Sequence, residues 1–215
     1  VRFIPPRTTM SSSVRAVPFG KLLSRLELLS RIGVWTGGAL TLACVFLISF
    51  DVVARKFFGF TVGGSDELSG YVFAISTTWA FAYVLLQRGN VRVDVLYQHL
   101  PPRLAALLDW LSLVALGVFI AAMTWHAWGV ALTSWERSAA ANTPLATPLW
   151  LPQGLWVLGL VWTCVVLALL LIPASVALVT GDAAAMKELC GVRSAKQEAE
   201  EEAEAGERLV RGDGP

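Results

Sequence analysis

Charged positions along this chain fall into clusters, and between the clusters lie four long apolar runs. The first, 32–50, and the second, 68–86, carry no charge. The third, 104–132, holds one carboxylate, Asp109, near its start. The fourth, 149–180, is uncharged and is punctuated by Pro152 and Pro173. A hydrocarbon core about 30 Å thick takes roughly 20 apolar residues to cross as a helix. Every backbone amide inside it must be paired, so the pattern predicts four transmembrane helices and an all-α integral membrane protein. At about 1.5 Å per residue the third run is longer than the core is thick, so it is expected to tilt or to project at one end.

The flanks read differently. Residues 19–32 place Phe19, Leu22, Leu23, Leu26, Leu29 and Ile32 at helical spacing, with Lys21, Arg25 and Arg31 on other faces. This predicts a short basic amphipathic helix lying on an anionic leaflet before the chain turns into the first span. Residues 1–18, with Pro5, Pro6 and three consecutive serines, are expected to be disordered. Residues 181–215 form a polar, acidic tail, also expected to be disordered, in which Glu198, Glu200, Glu201, Glu202, Glu204 and Glu207 leave almost no apolar face. The four-helix domain is thus expected over 19–180.

Composition supports the membrane reading: 55% of the 215 residues are hydrophobic and only 15% are charged, against about 25% charged in soluble domains. Mean hydropathy is +0.61. No basic stripe points to nucleic acid. The distribution of Lys and Arg carries the orientation. Fourteen of the 17 lie before span one, between spans two and three, or after span four; Arg55, Lys56 and Arg137 occupy the other two loops. The positive-inside rule therefore puts both termini in the cytoplasm, with Arg55 and Lys56 as the exception on the outer side.

Little in the chain reads as chemistry. Cys44 and Cys164 lie within apolar runs as packing residues, and Cys190 stands in the tail, without CxxC or Cys/His spacing for a metal. Two histidines, His99 and His126, do not provide a haem with axial ligands on facing spans. No nucleophile–base set or glycine-rich phosphate loop appears, so no enzyme activity and no cofactor is expected. Of the nine tryptophans, Trp110 and Trp128 are spaced to anchor the third span at its two interfaces. Gly33 and Gly37 form one GxxxG, a signal for close helix packing. Asp109 is a candidate for packing or for contact with a partner subunit. Two polar patches are denser. Between spans one and two lie Asp51, Arg55 and Lys56, then Gly63-Gly64-Ser65-Asp66-Glu67, where Ser65 is placed to cap span two and the two carboxylates meet its positive end. After span two comes Gly89-Asn90-Val91-Arg92-Val93-Asp94, expected to anchor the cytoplasmic end of the neighbouring spans.

Taken in order, these features resemble the small, DctQ-type membrane subunit of tripartite ATP-independent periplasmic (TRAP) transporters. The resemblance runs over residues 25–180. It rests on Asp51 to Gly59, Asp66-Glu67-Leu68, Ala80-Phe81-Ala82-Tyr83, the 89–94 stretch followed by Leu100-Pro101, and Thr143-Pro144 to Leu151-Pro152. Asn90 stands where that family commonly has a histidine; Asn still donates and accepts hydrogen bonds. The resemblance implies a bacterial inner-membrane protein that partners a large multi-span permease. It also implies a periplasmic binding protein, which delivers an organic acid for sodium-coupled uptake. Asp66 and Glu67 would then face the periplasm, where the binding protein docks. Two other readings of four apolar spans are a membrane anchor for a redox complex and a homo-oligomeric channel.

Overall fold

The computed structural model describes residues 17–61, 63–87, 100–181 and Ala203. The expectations for residues 1–16, for Asn90, Arg92 and Asp94, and for the tail beyond Gly181 fall outside these residues. Four helices account for most of the described chain: α1 (Val17–Phe58), α2 (Ser65–Leu86), α3 (Pro102–Glu136) and α4 (Trp150–Thr180). Each is long and apolar enough to cross a membrane. The fold is thus all-α with four candidate spans, as the apolar runs predict.

Local chemistry sets the ends. The α1–α2 connection carries three glycines in the left-handed region, Gly59, Gly63 and Gly64, at φ 70°, 68° and 83°; side chains with a Cβ rarely adopt that conformation. Pro101 precedes α3, and Pro102 occupies its first turn, where a missing N–H leaves no bond unmade. Gly181, at φ 71°, closes α4. Pro173 lies inside α4, yet the helix continues to Thr180.

The amphipathic segment is helical, but it joins span one without a turn: α1 is a single 42-residue rod, about 63 Å long. The reason is packing. Leu26 and Ser30 are buried in the protein, Glu27 accepts a hydrogen bond from Gln87 at the end of α2 (3.1 Å), and Gly33 lies against the Trp79 ring. α2 spans about 33 Å, close to one hydrocarbon thickness.

The helices form a row in which α1 neighbours α2, α2 neighbours α4, and α4 neighbours α3. α4 is the most enclosed helix. Among its buried positions, Leu160, Thr163, Leu167, Leu170, Ala174 and Ala177 recur at alternating steps of three and four, the spacing that keeps one stripe of a helix facing its neighbours, and Val157, Gly159 and Val166 widen that stripe. Lipid tails are as apolar as leucine, so burial alone does not hold such helices together; close packing and interhelical hydrogen bonds do. Both appear here. A Cβ on Gly37 would lie 3.1 Å from Ser76 Cα, and one on Gly159 would lie 2.6 Å from Thr78 Oγ1. Three indole N–H groups cross between helices: Trp79 to the Leu155 carbonyl (3.1 Å), Trp162 to Ser30 Oγ (3.0 Å) and Trp110 to Ser175 Oγ (2.9 Å). Trp110 is therefore partly buried packing and not a lipid-facing anchor, whereas Trp128 is exposed.

Candidate functional site at the loop end of the helix row

Polar side chains within the spans mostly close on their own helix. Thr36, Thr41, Ser49, Thr77, Thr124, Thr133 and Thr180 each donate to the carbonyl four residues back. A hydroxyl satisfied this way offers little to a ligand. Beyond the interhelical bonds already described, a further set of polar groups from different elements gathers at the end where the α1–α2 and α3–α4 connections meet.

Two carboxylates organise that end. Asp51, in the last turns of α1, is 1% exposed. Its Oδ2 accepts from Arg55 Nη2 at 2.7 Å, an i, i+4 ion pair, and from Ser65 Oγ at 3.2 Å; Oδ1 accepts from Thr61 Oγ1 at 2.8 Å. Burying a carboxylate costs several kcal/mol unless charge and hydrogen bonds compensate it. Here one cation and two hydroxyls do so. Asp51 thereby ties the end of α1 to the connecting loop and to the first residue of α2. The Arg55 side chain is 61% exposed, so the stabilising effect of the ion pair is moderated by water.

Glu67 makes the second junction. Its Oε1 accepts from Tyr71 OH, one turn along α2, at 2.7 Å. Oε2 accepts from Thr143 Oγ1 in the α3–α4 loop. The loop folds back on itself through Ala141 N–H to the Thr147 carbonyl and Leu149 N–H to the Ala139 carbonyl, both 2.9 Å. Its Leu145 side chain covers Gly64 so closely that a Cβ there would sit 1.9 Å from Leu145 Cδ1. Trp135 and Trp150 stack edge to face at 4.8 Å where the loop leaves α3 and enters α4.

The sequence-predicted residues are thus partly brought together. Asp51 and Arg55 pair with each other, and Glu67 joins the opposite loop. Asp66 is exposed beside Glu67. Asp109 is 3% exposed and lies far along α3 from this site, inside the protein and not at its surface. The expected capping role of Ser65 is corrected: Gly64 is the N-cap and makes no side-chain bond, because the Ser65 hydroxyl is drawn to the buried Asp51 carboxylate. Thr61 and Tyr71 were not singled out by sequence reasoning, and Thr143 entered only as the start of the stretch before the fourth span. An isolated hydroxyl residue carries no spacing signal, although the paired glycines 63–64 do foretell a tight loop.

The family model for the DctQ component of the tripartite ATP-independent periplasmic transporters matches residues 44–177. That span takes in α2, α3, most of α4 and the end of α1, and with them every residue of the two carboxylate junctions. No curated protein and no solved structure matches the chain.

Proposed function

The chain belongs to the DctQ family of TRAP transporter components, and from that premise we propose that it is the scaffold subunit of such a transporter, supporting transport without carrying the transport site. It is a multi-pass inner-membrane protein and a transporter component, not a member of an enzyme family. The observation that carries the scaffold reading is where the polar groups lie. Sodium and carboxylate sites in secondary transporters are built near the bilayer midplane from broken helices and convergent polar groups. The four described helices are continuous, and the carboxylates Asp51, Glu67 and Glu27 meet partners from other elements at the two ends of α2, not at its middle.

In this reading a large multi-span permease moves the substrate, and this chain packs against it through apolar helix faces such as Trp35, Leu42, Phe46 and Phe57 on α1, all exposed in the isolated chain. Uptake is driven by a sodium gradient, and a periplasmic binding protein delivers an organic acid. Both termini are cytoplasmic. The ion pair between Arg55 and Asp51 supports this orientation, since it removes Arg55 from the free positive charge on the outer side. The loop end then faces the periplasm, and exposed Asp66 is the carboxylate available to the binding protein. Charge reversal at Asp66 should raise the binding-protein concentration needed for half-maximal uptake. Unchanged half-saturation would count against docking at this residue.

A further inference from the structure

We propose that Glu67 is a latch: its carboxylate holds the α3–α4 loop, residues 137–149, in a single pose over the start of α2, making the two outer connections one rigid unit.

Three observations converge on this residue. First, Glu67 receives one hydroxyl from its own helix, Tyr71, and one from a loop 76 residues away in sequence, Thr143. Hydrogen bonds to an ionised acceptor are about twice as strong as neutral ones. Second, the loop is otherwise an exposed element. Asn142, Thr143, Pro144, Leu145 and Ala146 all lie at the surface, so its position is set by a small number of contacts. Third, the contact has a steric half. Leu145 packs onto Gly64, and the φ of 83° there, together with the 1.9 Å approach, reserves the position for glycine. The latch also continues a chain. Asp51 ties α1 to Ser65, and Glu67, two residues further along α2, ties that helix to the α3–α4 loop. The ends of α1 and α2 and the hairpin joining α3 to α4 are thereby linked through two carboxylates.

Glu67 therefore acts through the loop. On the proposed reading that a binding protein docks at this end, an exposed but fixed loop avoids the ordering cost that a mobile one would incur on association. Asp66, exposed one residue earlier, makes no comparable contact with the loop.

The test is hydrogen exchange at the Ala141, Ala146 and Leu149 amides in the full transporter complex, comparing Glu67→Gln, Thr143→Val and Asp66→Asn with the parent. Losing a charge-assisted bond should raise loop exchange about tenfold or more in the first two variants. Asp66→Asn, which removes the same charge one residue away, should leave it unchanged. Gly64→Ala, which displaces Leu145 without touching the carboxylate, should loosen the same amides. Unaltered exchange in Glu67→Gln and Thr143→Val, or an equal rise in Asp66→Asn, would overturn the latch. Half-saturation of uptake by the binding protein, measured on the same samples, separates the two ideas. A loosened loop with unchanged half-saturation keeps the latch and removes the docking reading. A loosened loop with weaker half-saturation and unchanged maximal rate supports both.

Discussion

Replacing Asp51 by alanine tests the junction at the end of α1. Arg55, Thr61 and Ser65 lose an acceptor, but they do not lose equally. The Arg55 side chain is 61% exposed and Thr61 is exposed; both turn to water with little penalty. Ser65 is 4% exposed, and its hydroxyl is left inside the protein without the carboxylate that receives it. An unsatisfied buried hydroxyl costs about 1–3 kcal/mol. Removing the buried charge relieves some desolvation, so Asp51→Ala should destabilise the fold by about 1–2 kcal/mol overall. The discriminating quantity is the coupling. In Asp51→Ala with Ser65→Ala the orphaned hydroxyl is gone, so the double variant should be more stable than the sum of the single effects by roughly 1 kcal/mol. Reversible unfolding in mixed micelles, followed by tryptophan fluorescence, gives all four corners of the cycle. Additivity to within about 0.3 kcal/mol would refute the claim that Asp51 holds the start of α2 through Ser65.

Further substitutions probe the rest of the structure. Gly159→Ala introduces a Cβ 2.6 Å from Thr78 Oγ1 and 2.9 Å from Trp79 Cδ1; it should push α4 from α2 and cost about 1–3 kcal/mol by the same unfolding assay. Gly154→Ala, five residues earlier, meets nothing within 4 Å and should be neutral or stabilising by up to about 1 kcal/mol. Ser30→Ala keeps the small buried side chain but removes the acceptor of the Trp162 indole N–H; a loss of about 0.6–1.5 kcal/mol is expected, and an unchanged midpoint would dismiss that bond as a tie. Arg92→Ala addresses the proposed anchoring between α2 and α3. It should reduce co-purification with the large permease; normal assembly and uptake would remove the anchoring role.

Much of the fold is legible in the sequence, because lipid imposes a coarse rule. Apolar runs of spanning length must be helices, and α2, α3 and α4 follow their runs closely. The GxxxG at Gly33 and Gly37 was also readable, and both glycines face α2 so closely that an added Cβ would come within 3.1 Å of Trp79 or Ser76. The continuity of α1 was not, since periodicity reports an amphipathic face without saying whether lipid or protein covers it. Protein covers Leu26 and Ser30, and the turn is unnecessary. At the site, Asp51 and Arg55 stand at i, i+4, so their pairing was available from spacing. The partner of Glu67 was not. Thr143 is 76 residues away, and only the docking of two helix connections brings it near. Ser65 shows a conflict between levels: its sequence position favours a cap, and a buried carboxylate outcompetes that local role.

The scaffold claim is tested most directly by reconstitution. The full complex, the large permease alone and this chain alone would each be placed in liposomes, with binding protein, substrate and an inward sodium gradient supplied. The complex should take up substrate, the permease without this chain should lose most of that activity, and this chain alone should give neither uptake nor conductance. Full uptake by the permease alone, or any substrate-dependent flux through this chain by itself, would contradict it.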